Sequence, residues 1–195
     1  MTLEALSAEE TEALLAESGA LARGHFELSS GRHSSAYVQC ALLLEDPRRA
    51  RRVGRALARL LASLRPQTVV SPALGGVVIG HEVAEALGVP FRFAERKDGV
   101  MSLRRGFRLE PGERAAIVED VVTTGGSSRE AAAAAGAMGA KVVAVGAIVD
   151  RSGGEGTFAV PFFRLLDLEL PAWRPGECPL CAEGGRAEKP GSRVP

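Results

Sequence analysis

Two adjacent acids, Glu119 and Asp120, close the apolar run Ala115-Ala116-Ile117-Val118. The run reads as a buried strand, because short β-branched stretches bounded by turn signals pack inside sheets. After the acids come Val121-Val122 and a turn of small and hydroxyl residues, Thr123-Thr124-Gly125-Gly126-Ser127-Ser128, before an alanine-rich helix from about Arg129. Backbone N–H groups in such a loop, together with a helix N-terminus, attract an anion. The glycines allow close backbone approach. Carboxylates just upstream can accept hydrogen bonds from sugar hydroxyls. The order strand, acids, small-residue loop, helix therefore predicts a cradle for a phosphorylated sugar. Two neighbouring acids at the end of a buried strand are expensive as pure structure, which assigns Glu119 and Asp120 to function.

Three other stretches carry candidate chemistry. Ser71-Pro72-Ala73-Leu74-Gly75-Gly76 joins the strand Thr68–Val70 to a helix from Val77 to about Leu87, which reads either as a second anion loop or as a tight connection. Residues 95–109, ERKDGVMSLRRGFRL, break the apolar pattern and concentrate Arg96, Lys97, Arg104, Arg105 and Arg108. A segment of that length in a compact α/β domain is a lid, a binding loop or an edge hairpin. The apolar run Val142–Val149 ends in Asp150-Arg151, where the guanidinium reads either as a strand-end salt bridge or as a fork for a ligand carboxylate. Near the start, Ser29-Ser30-Gly31-Arg32-His33-Ser34-Ser35 is either a mobile polar loop or a substrate loop. Cys178 and Cys181 form a single CxxC. A tetrahedral zinc site needs four ligands and the chain has no second such pair, so reduced structural thiols or a site shared by two subunits are the readings.

The elements that must position these residues follow from pattern. Ser7 with Glu10 makes a capping box for a surface helix over 7–18. Phe26, Leu28, Tyr37 and Val38 mark short strands. Pro47 opens a helix to about Ser63, whose apolar positions alternate with Arg48, Arg49, Arg51, Arg52, Arg55 and Arg59, a solvated basic face rather than an RNA surface. Val89–Ala94 and Phe162–Leu168 add strands. The tail from Pro171 is rich in Pro and Gly and reads as irregular. Strands alternating with helices predict an α/β fold with a mostly parallel twisted sheet flanked by helices. Ligands in such sheets sit beyond the carboxyl ends of the strands, so the loops at Ser71, Glu95, Glu119 and Asp150 should converge on one crevice.

Composition narrows the partners. At 195 residues the chain suits a single domain. Lys+Arg and Asp+Glu both total 24, which argues against nucleic acid and anionic membranes as partners. The acidic, amphipathic N-terminus is unlike a signal peptide, no apolar run reaches membrane-spanning length, and three cysteines form no disulfide framework. A cytoplasmic location is expected.

The stretch Val118–Ser127 resembles the ribose-5-phosphate loop of the type I phosphoribosyltransferases. Phe26–Ser34 resembles the N-terminal substrate loop of the orotate branch of that family, and Arg151 falls where the branch places its orotate-binding arginine. The resemblance implies the type I phosphoribosyltransferase fold over 1–195: a small hood from the N-terminal (1–45) and C-terminal (169–195) segments around a core over 46–168. It implies transfer of phosphoribosyl from 5-phosphoribosyl 1-diphosphate to orotate, with Mg²⁺ held mainly by substrate and water and no protein metal ligands. Thr123, Thr124, Gly125, Gly126 and Ser127 would hold the 5′-phosphate, Glu119 and Asp120 the ribose hydroxyls, and Val121 and Val122 belong to the same substrate-binding stretch. Ser71, Ala73, Leu74, Gly75 and Gly76 would contact the diphosphate. Arg151 would hold the orotate carboxylate, Tyr37, Val38 and Thr123 would complete the base pocket, and Ser29 would contact substrate. Residues 95–109 would be a catalytic loop reaching the neighbouring subunit of a homodimer, with Lys97 its main catalytic cation and Arg96, Arg104 and Arg105 supporting. Two departures stand out: Val100 and Ser102 occupy places where the common loop has a lysine and a histidine, and Ser29 replaces a lysine.

Overall fold

The computed structural model describes residues 5–28, 30–154 and 156–190; Ser29, expected above to contact substrate, lies outside them. The capping box forms as its sequence dictates: Ser7 Oγ accepts from the Glu10 amide, Glu10 reaches back to the Ser7 amide, and α1 (Ala8–Glu17) follows. Its buried residues Leu14 and Leu15 face the core. A short α2 (Cys40–Leu44) leads to α3 (Pro47–Leu61), opened by Asp46 as N-cap and Pro47 at the first position. The apolar stripe of α3 is buried, including Val53, Leu57 and Leu61, while Arg48 and Arg52 face outward and pair with Asp46 and Glu10.

Six strands form the main sheet in the order β5-β4-β3-β6-β7-β8. They are β3 (Thr68–Pro72), β4 (Phe91–Lys97), β5 (Val100–Leu103), β6 (Arg114–Val122), β7 (Lys141–Asp150) and β8 (Phe162–Asp167). All neighbours run parallel except β5, which turns back antiparallel on β4. Helix α4 (Gly76–Leu87) links β3 to β4, and α5 (Gly126–Ala137) links β6 to β7. Alternate residues serve opposite faces, as the pleat requires: Val69, Ala116 and Val118 join the core under α3 and α4. Val70, Ala115 and Ile117 join the core under α5. The chain moves from β3 outward to β4 and then returns to the far side of β3 with β6. The switch point thus lies between β3 and β6, where the crevice of an open α/β sheet belongs.

A second, three-stranded sheet, β1-β2-β9, sits apart from the first. It joins β1 (Leu21–Glu27) and β2 (His33–Val38) from the N-terminal segment to β9 (Ala172–Trp173) from the tail. The fold is that of a mostly parallel sheet flanked by helices, with a small hood made from both ends of the chain.

Three readings need correction. The helix after the small-residue loop begins at Gly126, not near Arg129, because Gly125 takes the left-handed conformation at φ 74° and turns the chain straight into the helix. His33, Ser34 and Ser35 belong to β2 rather than to a loop, because the backbone of β2 pairs antiparallel with β1. The tail is not irregular throughout. Beyond β9 it makes a 3₁₀ turn at Pro175–Glu177 and the short α6 (Pro179–Ala182), and Glu188 pairs with β1.

Candidate active site

β6 carries Glu119 and Asp120 to the carboxyl end of the sheet. Glu119 is 7% exposed and its carboxyl is pushed up to about 9, first by burial, then by the neighbouring Asp120 charge and a hydrogen bond between the two side chains. Burial raises Asp120 as well, against the hydrogen bond from Glu119 and backbone donors that favour its charge. Glu119 therefore holds a proton near neutral pH. Gly75, in the loop after β3, lies against Asp120: a Cβ there would come within 2.6 Å of its Oδ1. The two loops on either side of the switch point thus meet at this carboxylate. The Ala73–Leu74 peptide in that loop is cis, and the Leu74 side chain is 87% exposed.

Beyond Asp120, Val121 and Val122 finish the strand, and Thr123 and Thr124 are exposed above it. No side chain caps α5, so the first-turn amides remain available to an external acceptor. Arg129 braces the loop from behind, donating to the Thr124 carbonyl at 2.8 Å and the Thr157 carbonyl at 3.4 Å. Ser127 is exposed at the helix start, whereas Ser128 is buried with an unpartnered Oγ, as is Ser71 at the end of β3.

Arg151 follows β7, its amide bonded to the Val122 carbonyl at 2.7 Å. Burial pulls its guanidinium below the usual arginine value, with the Tyr37 side chain acting in the other direction, and its Nε is buried without a partner among the described residues. A buried guanidinium nitrogen lacking an acceptor is costly and marks a place for an anionic ligand. Asp120, Val121, Thr123, Thr124, Arg151, Tyr37 and Val38 line one cleft of about 670 Å³, a volume suited to a small ligand.

The hood supplies Glu27, Leu28, Ser30 and Arg32, from the stretch read as a substrate loop, together with Gln39. The tail supplies Leu170, Ala172, Lys189 and Pro190, walls the sequence does not reveal. Lys189 bonds Glu27 at 3.1 Å. Its rarity, as one of three lysines, was the only signal available, because nothing local ties the tail to the hood.

The basic segment behaves differently. Residues 95–103 form the β4–β5 hairpin, closed by Asp98-Gly99 with φ 52° and 81°. Asp-Gly with two positive φ values is the favoured two-residue hairpin turn, so a local signal for the edge hairpin was present. Arg96 pairs with Glu130 at 2.7 Å, and Arg104 and Arg105 both reach Glu95, at 3.4 and 2.9 Å. None of these, nor the exposed Lys97, lines the cleft of its own chain.

The chain matches the phosphoribosyl transferase domain over residues 41–173. It is 56% identical over 180 residues to the orotate phosphoribosyltransferase of Thermotoga petrophila, covering 92% of this chain and 96% of that one. Among solved structures it is similar to orotate phosphoribosyltransferase from Aeropyrum pernix, with TM-score 0.67 and 27% identity over 80% of this chain and 92% of that chain. It is also similar to the Mycobacterium tuberculosis orotate phosphoribosyltransferase in complex with 5-phospho-α-D-ribosyl 1-diphosphate, with TM-score 0.65 and 25% identity over 81% of this chain and 95% of that chain. A parallel sheet with paired acids at its switch point, an uncapped helix beyond them and an unsatisfied arginine across the cleft accords with these likenesses: the chain belongs to the phosphoribosyltransferase family, among the orotate phosphoribosyltransferases.

Proposed function

We propose that this protein transfers phosphoribosyl from 5-phospho-α-D-ribosyl 1-diphosphate to orotate, giving orotidine 5′-monophosphate and diphosphate. The observation that carries the reading is the cleft in which Arg151, with its unpartnered Nε, stands with Asp120 and Thr123. An anionic planar base beside Arg151 and a phosphorylated sugar over Asp120 put the reacting atoms between them.

In this reading the 5′-phosphate rests on the amides of Thr123–Ser127 and the start of α5, where the helix dipole favours negative charge. Asp120 and Glu119 accept hydrogen bonds from the ribose 2′- and 3′-hydroxyls. As the bond from ribose C1 to diphosphate breaks, positive charge grows on the ring, and the Asp120 carboxylate beneath it stabilises that charge more than the ground state. A ring nitrogen of orotate then bonds to C1 while Arg151 holds the orotate carboxylate in a two-pronged, charge-assisted contact. Thr123, Tyr37 and Val38 complete the base pocket, and Ser29 contacts substrate, as the resemblance implies. The Ser71–Gly76 loop takes the leaving diphosphate.

Two carboxylates are too few for a closed cation cage but suit Mg²⁺, which keeps its waters and binds largely through substrate oxygens. When bound it supplies neutralisation of the diphosphate charge. Lys97 is the catalytic cation of the hairpin, acting with Arg96, Arg104 and Arg105 on a neighbouring subunit's site, in a cytoplasmic homodimer that binds neither nucleic acid nor membrane. The absence of Lys97 from its own chain's cleft supports this cross-subunit role. The chain is read as one domain, with hood (1–45), core (46–168) and tail (169–195).

Base dependence tests the substrate. Diphosphate release from the sugar donor is expected with orotate and not with adenine, guanine, hypoxanthine or uracil. Release only with a purine overturns the reading.

A further inference from the structure

One side-chain cluster lies outside the reaction chemistry. His25 on β1 and His33 on β2 come from neighbouring antiparallel strands, with ring centroids 4.8 Å apart. Cys178, which begins α6, and Cys181, one helical turn later, approach them from the tail. Cys181 Sγ lies 3.2 Å from His33 Nδ1 and 3.6 Å from His25 Nε2, Cys178 Sγ lies 3.4 Å from His25 Nε2, and the two ring nitrogens are 2.9 Å apart. All four ligand atoms fall within 4.8 Å of one another.

Hydrogen bonding alone accounts poorly for this arrangement. His25 Nε2 has three close neighbours, whereas one imidazole nitrogen offers either one proton or one lone pair. A central cation satisfies all four atoms at once. Zinc bonds of about 2.3 Å to sulfur and about 2.05 Å to nitrogen at tetrahedral angles put S···N at about 3.5 Å and N···N at about 3.3 Å. The three S···N spacings, 3.4, 3.6 and 3.2 Å, surround the first value, and the N···N spacing of 2.9 Å is shorter than the second. Two thiols and two imidazoles in a closed set select zinc over the hard cations, which prefer oxygen. His33 and Cys178 are buried and His25 and Cys181 partly so, as a structural rather than a catalytic centre requires.

We propose that His25, His33, Cys178 and Cys181 bind one zinc ion that staples the tail to the hood. The sequence alone offered only two of the four ligands, because the histidines stand more than 140 positions away. The staple also reaches the cleft. Directly after it the Glu188 amide donates to the His25 carbonyl at 2.8 Å and the Glu27 amide to the Glu188 carbonyl at 2.7 Å. The next residues, Lys189 and Pro190, are cleft walls. Zinc at the cluster thus holds the wall of the base pocket in place without touching the reacting atoms.

The full-length protein, produced without a polyhistidine tag, should contain about one zinc per chain by elemental analysis. Replacing zinc with Co²⁺ should give the intense visible bands and thiolate charge-transfer absorption of a tetrahedral S₂N₂ site. Cys178→Ser/Cys181→Ser should lose the metal. Chelator should lower the melting temperature of the parent protein and leave that of the variant unchanged. Because the cobalt spectrum is read on the parent protein, a variant that fails to fold does not spare the proposal. Absence of stoichiometric zinc, iron in its place, an octahedral cobalt spectrum, or a Cys178–Cys181 disulfide by mass would each overturn it.

Discussion

Glu119 is a residue the ligand-free fold tolerates at a cost. Its carboxyl is raised from 4.5 to about 9, chiefly by burial and secondly by Asp120, so the folded chain holds a proton that the unfolded chain releases. The sign follows from proton linkage: for a group protonated in the folded state, stability is fully present below the unfolded value near 4.5 and declines as pH rises toward 9. Glu119→Gln removes the ionisation while keeping the shape. It should therefore stabilise the ligand-free protein at pH 8 by on the order of 1–3 kcal/mol, little at pH 4.5, and flatten stability between them. Denaturant unfolding across that range checks this, and equal stabilisation at both pH values would refute it. Turnover should fall as well if Glu119 holds the ribose hydroxyls as proposed. The buried, unpartnered Arg151 Nε and Ser71 and Ser128 hydroxyls belong to the same pattern of local cost at a site built for a ligand.

At the scale of elements, the loop between β6 and α5 depends on Gly125. Its φ of 74° is open to glycine and strained for other residues, and a Cβ there would meet Arg129 at 2.8 Å and Phe158 at 2.9 Å. Gly125→Ala should cost about 1–2 kcal/mol from the backbone alone. By displacing the brace from Arg129 it should also raise the KM for the sugar diphosphate several-fold more than the KM for orotate. Steady-state kinetics on both substrates checks it; equal changes would place the loop away from the phosphate. Most of this element was legible in advance. A β-branched run, two acids, small residues and an alanine-rich helix each have one local preference, and those preferences agree. The helix starts three residues before the position its composition predicts, because the positive φ of Gly125 is a property of the turn rather than of composition. Of the three readings of residues 95–109, the edge hairpin has a local signal in Asp98-Gly99.

On the scale of the whole molecule, the cleft is made from parts far apart in the chain: β1 and β2, the loops after β6 and β7, and residues 170–190. The exposed Lys97 and Val100 cap a hairpin that does not reach this cleft. If the hairpin serves a neighbour, two inactive proteins should rescue one another. Lys97→Ala and Asp120→Asn should each lower turnover by about two to three orders of magnitude. Unfolded and refolded together at equal amounts, they should regain roughly a quarter of the wild-type activity, because half the dimers are mixed and each mixed dimer has one complete site. Activity no higher than the sum of the two variants would place Lys97 outside the reaction or within its own subunit.

What the sequence determined by itself is local: that Glu119 and Asp120 lie near the carboxyl end of a strand, that a small-residue loop leads from there into a helix, and that Arg151 follows the next strand. Such features depend on neighbours within a few residues, whose propensities and turn chemistry are written consecutively. What the tertiary structure decided is long-range. It brought Tyr37 and Lys189 to the cleft of Asp120, kept Lys97 out of it, and set His25 and His33 beside Cys178 and Cys181. Those meetings follow from the hood sheet closing over the crevice with strands from both ends of the chain, and the loop closures involved leave no periodicity to read.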